Sequence, residues 1–290
     1  PSALSTYLTT NINVLPLFFC IAAVYYLTPK MLVITRQSFN SSFTALPMRE
    51  SLTSKQVARA LQVSESSIKR WCDKGVLAVA YTAGGHRRIP LSGLIAFLRA
   101  SKNELVRPEL VGLPATTGRT VRVLDRSAGQ LCQALLQGDE EVCRQIALDL
   151  YLGEHAVSSI CDEVFSKAFD DIGQRWEQGE VEVYQERRAC NIVLRVINEL
   201  RSFLRPPSAD APVAIGAAPQ GDPYSLGTTM AEIVLRESGW NASSLGGNLP
   251  FTTLSAAIKD NCPRLFWLSI SSLEDKDLFL SSYQELYDCF

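Results

Sequence analysis

The sequence predicts a mixed α and α/β chain: a short helix pair with a β-hairpin, then a four-helix bundle, then a small Rossmann-like parallel sheet. Three observations predict it. Residues 53–90 hold two helix-cap signals, a tight break and a Gly-Gly turn in one short stretch. From 123 to 204 apolar residues recur at helical spacing, broken only at glycines. From 213 onward short apolar runs alternate with helical ones, the pattern of strand–helix units in a parallel sheet.

In the first stretch, Thr53 and Gln56 have the form of a capping box, and Val57, Ala58 and Leu61 follow at helical spacing. Gln62 and Val63 make a break. Ser64 is placed to cap a second helix and Glu65 to meet its dipole. Ile68 and Trp71 fall on the inner face of that helix, which leaves Ser66, Ser67, Lys69 and Arg70 outside; Gly75 ends it. Residues 77–81 alternate like a strand, Gly84 and Gly85 turn, and His86-Arg87-Arg88-Ile89 returns. A narrow helix with a basic outer face suits a DNA major groove, and a hairpin with adjacent arginines suits the phosphate backbone or minor groove. The candidate DNA contacts are therefore Ser66, Ser67, Lys69, Arg70, Tyr81, His86, Arg87 and Arg88. The alternative is an ordinary helical hairpin with a solvated charged face. The pattern A-x-x-L-x-V-S-x-x-S-I-x-R-W-x-x-x-G-x-L, then T-x-G-G-H-R-R, resembles the winged helix-turn-helix of MerR-type transcription regulators over residues 52–99.

The net charge of −2 argues against a protein coated in nucleic acid, but the basic residues crowd into the first part, as one DNA-reading module on an acidic protein requires. Eight cysteines without a C-x-x-C pair suit reduced thiols and a cytoplasmic protein rather than a disulfide frame or zinc site. Residues 1–48 read as an extension. Its apolar run at 14–27 holds Pro16 and falls short of the ~17 residues a bilayer span needs. Met31 is expected to be the start, a membrane anchor being the other reading; residues 38–48 read as a polar lead-in.

A module at 49–103 is followed by a linker at 104–122, marked by Pro108, Gly112, Pro114 and Gly118. The bundle at 123–205 comprises a helix ended by Gly138, a second capped by Asp139 with Val142, Ile146 and Leu150 on one face, a third through Ile160, Val164, Ala168, Ile172 and Trp176, and a fourth through Ile192, Val196 and Leu200, stopped by Pro206 and Pro207. Within 206–290, strands are expected at 213–218, 241–245 and 265–270, and helices at 226–237, 251–259 and 278–287; the domain reads as incomplete at its C-terminal end.

The order of bundle and sheet resembles the cobalamin-binding unit of corrinoid enzymes and of light-responsive MerR-type regulators of carotenoid genes. In that family D-x-H-x-x-G is followed 41 residues later by a Ser-containing triplet; here Asp222, Tyr224 and Gly227 are followed by 41 residues and Ser269-Ile270-Ser271. The segment Leu245-Gly246-Gly247-Asn248-Leu249-Pro250 resembles the family's loop after the second strand, and Trp176 followed nine residues later by Glu186-Arg187 resembles its W-x9-E-H motif, which caps the corrin. The resemblance implies adenosylcobalamin as cofactor, with Trp176, Glu186, Asp222, Tyr224, Gly227, Ser269 and Ser271 around it. Three departures oppose it. Tyr224 stands where the family's cobalt-ligating His stands, Arg187 replaces the second His, and the family's later G-G would fall past Phe290. They predict that His-on cobalamin binding is not kept, that no residue here ligates metal, that Asp222 caps a helix, and that Trp176 is core or interface.

The resulting expectation is a cytoplasmic, non-enzymatic regulator that binds a pseudo-palindromic promoter site in double-stranded DNA as a homo-oligomer, with helix 64–74 in the major groove and bundle and sheet supplying oligomerisation and sensing. The runner-up is a corrinoid carrier or methyltransferase-like subunit. A third reading is a paralogue that only binds partners.

Overall fold

The computed structural model describes residues 32–35, 51–101, 103–115, 117, 124–271 and 275–289. The apolar run at 14–27, Met31 and the lead-in at 38–48 lie outside them. The first part contains strands Leu32–Thr35 (β1) and Ser51–Leu52 (β2), helices Ser54–Ala60 (α1) and Glu65–Asp73 (α2), strands Ala80–Tyr81 (β3) and Arg87–Pro90 (β4), and helix Leu91–Ser101 (α3). Both expected caps form. Gln56 N–H donates to Thr53 Oγ1 at 3.2 Å while Thr53 N–H donates to Gln56 Oε1 at 2.9 Å. Ser67 N–H donates to Ser64 Oγ at 3.2 Å. Gln62 takes a φ of 52°, and this left-handed residue separates α1 from α2. Ile68 is buried, and the half-buried Trp71 packs on Phe97 with ring centroids 4.8 Å apart. The strand read at 77–81 is shorter than expected, because the Val76 and Leu77 N–H groups are spent on the Trp71 carbonyl in closing the end of α2.

The segment read as a linker is packed where it is described. Val106 and Arg107 N–H both donate to the Ala60 carbonyl, at 3.0 and 2.9 Å, and Leu105, Val111 and Leu113 are buried. Pro108 and Gly112 shape a 3-10 turn, Pro108–Val111, rather than a flexible tether.

The bundle is formed by Leu124–Gln137 (α4), Glu140–Leu152 (α5), a third helix (α6) and Val183–Phe203 (α7). α6 runs as Val157–Ile160, a π-helical segment Cys161–Ser166 and Lys167–Glu177; Ser166 Oγ donates to the Cys161 carbonyl at 3.0 Å within it. Gly138 turns at a φ of 78°, and Asp139 caps α5 by accepting from Val142 N–H at 3.1 Å. Ile146 and Leu150 are buried as expected. Val142 is instead 38% exposed, because the first turn of α5 projects and Cys143 takes the inward position.

The last part alternates Val213–Ala217 (β5), Leu226–Glu237 (α8), Asn241–Ser244 (β6), Phe251–Asn261 (α9), Leu265–Leu268 (β7) and Lys276–Cys289 (α10). β5 pairs in parallel with both β6 and β7. β1, which falls inside the expected N-terminal extension, adds antiparallel to β7 with Leu32 opposite Leu268, covering an edge that would otherwise present unpaired backbone groups. Side chains alternate across the sheet: Ile215, Phe266 and Leu268 face α9 and α10, while Ala214 and Trp267 face α8. Gly216 pairs with Trp267, and a Cβ at 216 would stand 2.0 Å from the indole. The absent side chain lets that indole lie across β5 and donate from Nε1 to Thr228 Oγ1 at 3.0 Å.

α8 is buried nearly all round. Met230, Ile233 and Val234 belong to one apolar core that runs from the first helix pair through the bundle, whereas Ala231 and Leu235 belong to the sheet's core. At its C-terminal end Glu237 accepts from Val157 N–H at 2.8 Å, so a carboxylate from α8 caps a bundle helix whose own N-cap residue, Ala156, has no polar side chain to offer. Among the described residues, no helix is long and apolar enough to cross a membrane.

Gly216→Ala is expected to destabilise the protein by about 1–3 kcal/mol through overpacking against Trp267, read as a lower urea midpoint with an unchanged slope. A second expectation concerns pH. Burial, and then Glu163, push the Asp162 carboxyl up to about 6. Its folded pKa lies above its unfolded one, so between about pH 4 and 6 the folded state binds more protons and stability falls as pH rises. Asp162→Asn should therefore raise the Tm at pH 7, with the advantage shrinking toward pH 4.

Candidate functional site

Two surfaces carry the candidate residues. On the first, α2 presents Ser66, Lys69 and Arg70 to solvent. Ser67 is half-buried and belongs to the cap, with its Oγ 3.0 Å from Ser64 Oγ. The turn from Thr82 to His86 is closed by reciprocal bonds: Thr82 N–H donates to the His86 carbonyl and His86 N–H to Thr82 Oγ1, at 3.0 and 3.2 Å. Gly85, at a φ of 75°, supplies the left-handed step. This leaves His86 exposed and Tyr81 58% exposed at the hairpin.

The two arginines, alike in the sequence as backbone contacts, part company in the structure. Arg88 is half-buried opposite Ala80. Arg87 is committed within the protein: its Nη2 lies 2.5 Å from Asp73 Oδ1 on α2, and its guanidinium lies 5.9 Å from the centre of the Tyr81 ring. It fixes the hairpin to the end of α2 and so positions its neighbours. Sequence reasoning misses Asp73, yet a signal is there. An acid in the last turn opposes the helix dipole and calls for a cationic partner.

The second surface is formed by the loops at the C-terminal ends of β5, β6 and β7, the binding edge of a parallel sheet, together with the start of α7. Asp222 is fully buried. Its Oδ1 accepts from Tyr224 N–H at 3.0 Å and its Oδ2 from Ser271 N–H, while its own carbonyl accepts from Asn248 N–H at 2.7 Å. Asn248 Oδ1 in turn accepts from Gly221 N–H at 3.0 Å. Asp222 therefore staples the three loops and does not cap α8, whose N-cap residue Ser225 makes no side-chain cap bond. Close approach explains two glycines: a Cβ at Gly227 would stand 2.4 Å from Ser269 Oγ, and one at Gly247 would stand 3.0 Å from the Pro223 carbonyl oxygen. Asn248 lies in the segment that resembles the family's loop after the second strand, but its anchoring role is not read from the sequence; in the structure its φ of 58° and its bonds mark it as a loop anchor.

Above these loops α7 contributes Glu186, Arg187 and Cys190. The Arg187 guanidinium lies 4.4 Å from the centre of the Tyr224 ring. Arg187 Nε is 3.6 Å from Glu186 Oε2, and Glu186 is buried, accepting from Cys190 Sγ at 3.1 Å. The structure thus brings Glu186, Asp222, Tyr224, Gly227, Ser269 and Ser271 to one place. Trp176 packs half-buried against the bundle core.

Whether these residues fit a cobalamin held through cobalt is a question of donors. Burial, and then the Glu186 carboxylate, push the Tyr224 phenol above its ordinary range, so it is protonated at neutral pH and a poor ligand. Arg187 has no lone pair to offer. The donor set does not fit the His-on mode.

Comparison with known proteins bears on both surfaces. A family described as a helix-turn-helix domain matches residues 51–102, and one described as a B12 binding domain matches residues 128–201. The trimethylamine corrinoid protein of Methanosarcina barkeri is 23% identical over 137 residues, which is 46% of this chain and 63% of that relative's own length. Among solved structures, the monomethylamine corrinoid protein of Methanosarcina barkeri shares 14% identity over 48% of this chain and 66% of its own, with a TM-score of 0.41. A cobalamin-binding protein from Desulfitobacterium hafniense DCB-2 shares 19% over 58% and 76%, with a TM-score of 0.32. The chain carries a helix-turn-helix domain and, in its helical part, a B12-binding-type domain.

Asp222→Ala removes an acceptor shared by two backbone N–H groups and is expected to cost about 2–3 kcal/mol in urea unfolding. Asp222→Asn, which keeps a single acceptor oxygen, should fall between Asp222→Ala and the wild type.

Proposed function

We propose that the protein is a DNA-binding transcription regulator of MerR type, with residues 49–103 forming a winged helix-turn-helix and the bundle and sheet serving oligomerisation and sensing. The observation that carries this reading is the solvent-facing row Ser66, Lys69 and Arg70 on a capped helix, beside a hairpin tied to that helix through Arg87 and Asp73. The helix-turn-helix match over the same residues supports it. In this reading α2 enters the major groove, and Tyr81, His86 and Arg88 meet the backbone or minor groove from the hairpin. One such module holds DNA weakly, so a homo-oligomer on a pseudo-palindromic site supplies the affinity. The protein acts in the cytoplasm, as a binding protein and not an enzyme.

A corrinoid carrier or methyltransferase-like subunit is the second reading. The B12-binding-type match at 128–201 and the relative named a corrinoid protein favour it. The DNA module and the tyrosine at position 224 oppose it.

Duplexes selected from a random pool test the first reading by fluorescence anisotropy across a salt series. Lys69→Ala or Arg70→Ala should weaken binding roughly ten-fold and lower the salt slope by about 1 for each phosphate no longer neutralised. Asp73→Ala discriminates the role of Arg87. If Arg87 positions the hairpin, removing its acidic partner weakens binding even though the surface becomes more positive. Tighter binding by Asp73→Ala would instead assign Arg87 to the DNA.

A further inference from the structure

We infer that Arg187 and Tyr224 form a latch that closes the bundle onto the sheet loops where a cobalamin-type unit would admit a corrin ring, so that this chain joins its two parts without the cofactor. The inference rests on the reading of bundle and sheet as cobalamin-type. Geometry carries it. The guanidinium lies 4.4 Å from the centre of the phenol ring, which is direct contact. A flat macrocycle held between two flat groups needs about 3.5–4 Å on each face, or about 7–8 Å between them. There is room for the pair or for the ring, not for both.

Each jaw of the latch is braced from its own side. On α7, Arg187 is held beside the buried Glu186 carboxylate, 3.6 Å away, and Glu186 is in turn bonded by Cys190. On the sheet, Tyr224 is held through its N–H by Asp222, which is fixed to Ser271 and Asn248 in the other two loops. Opening the slot would separate the exposed Arg187 cation from the half-buried Tyr224 ring, so the contact itself lies in the lower part of the cation–π range. It would also pull on loops already bonded to one another. The substitutions that remove the two family histidines are therefore one change and not two: each supplies half of a contact that replaces what a ligand would bridge.

The test uses the full chain, incubated in the dark with adenosylcobalamin, desalted, and assayed by visible absorbance and thermal melting. The expected result is under about one-tenth equivalent of corrin retained and no shift in Tm. Retention near one equivalent would overturn the inference. A double-mutant cycle tests the latch itself. Arg187→Ala and Tyr224→Ala should each lower the Tm, with the double variant falling by clearly less than the sum, while Tyr224→Phe, which keeps the ring, should match the wild type. Additive effects would show that the contact does not join the parts. Anisotropy on selected DNA, run on the same samples, separates this outcome from the fate of the regulator reading. Bound corrin with intact DNA binding sinks the latch alone, and loss of DNA binding by Arg70→Ala stands independently of it.

Discussion

A parallel sheet buries both faces; here α9 and α10 cover one, and α8 covers the other while also completing a second core. α8 covers the sheet with Ala231 and Leu235 and fills the bundle with Met230, Ile233 and Val234. Its buried Glu232 accepts from Arg201 of α7 at 2.8 Å, from Arg236 at 2.9 Å and from Ser244 N–H of β6 at 3.1 Å. Its last residue, Glu237, caps α6. Because both faces of α8 are occupied, bundle and sheet are not separable by a small displacement, and the loop that opens α8 is held in one place.

The same continuity reaches the helix-turn-helix part. Arg99 on α3 lies 4.0 Å from the centre of the Tyr151 ring on α5 and donates to the His155 carbonyl. Arg144 of α5 donates to both Glu199 oxygens on α7 at 2.6 Å and to the Gly112 carbonyl at 2.8 Å, tying the expected linker to the bundle. A module mounted in this way is joined to the bundle through packed side chains and hydrogen bonds rather than through a tether. His155, a lone histidine at a helix start, enters this junction through its carbonyl.

The two candidate surfaces differ in how their charges are used. Lys69 and Arg70 of α2 face solvent, while Arg87 of the hairpin is paired with Asp73 and gives up one outside contact to orient several. At the sheet edge the cation Arg187 is absorbed by Tyr224 and Glu186. One surface keeps charge available to an outside polyanion, and the other spends it on internal closure.

Much of this was legible in the sequence because it is local. Thr53 and Gln56, Ser64, Asp139, Gly75 and Gly138 declare helix ends through short-range hydrogen bonds. The strands at 213–217, 241–244 and 265–268 and the helix at 226–237 follow from short-range periodicity. The family resemblance also grouped Asp222, Tyr224, Gly227 and Ser269, and the structure places them near one another. What only the tertiary structure decided depends on groups far apart in the chain. Nothing near residue 106 reveals that its N–H finds Ala60, nothing near Asp222 that its carboxylate staples Ser271 instead of capping α8, and nothing near residue 32 that it pairs with Leu268. Arg87 and Arg187 make the point most sharply. From the sequence each is a cation on a flexible stem, and only the fold, by setting Asp73 beside one and Tyr224 beneath the other, determines that neither is free.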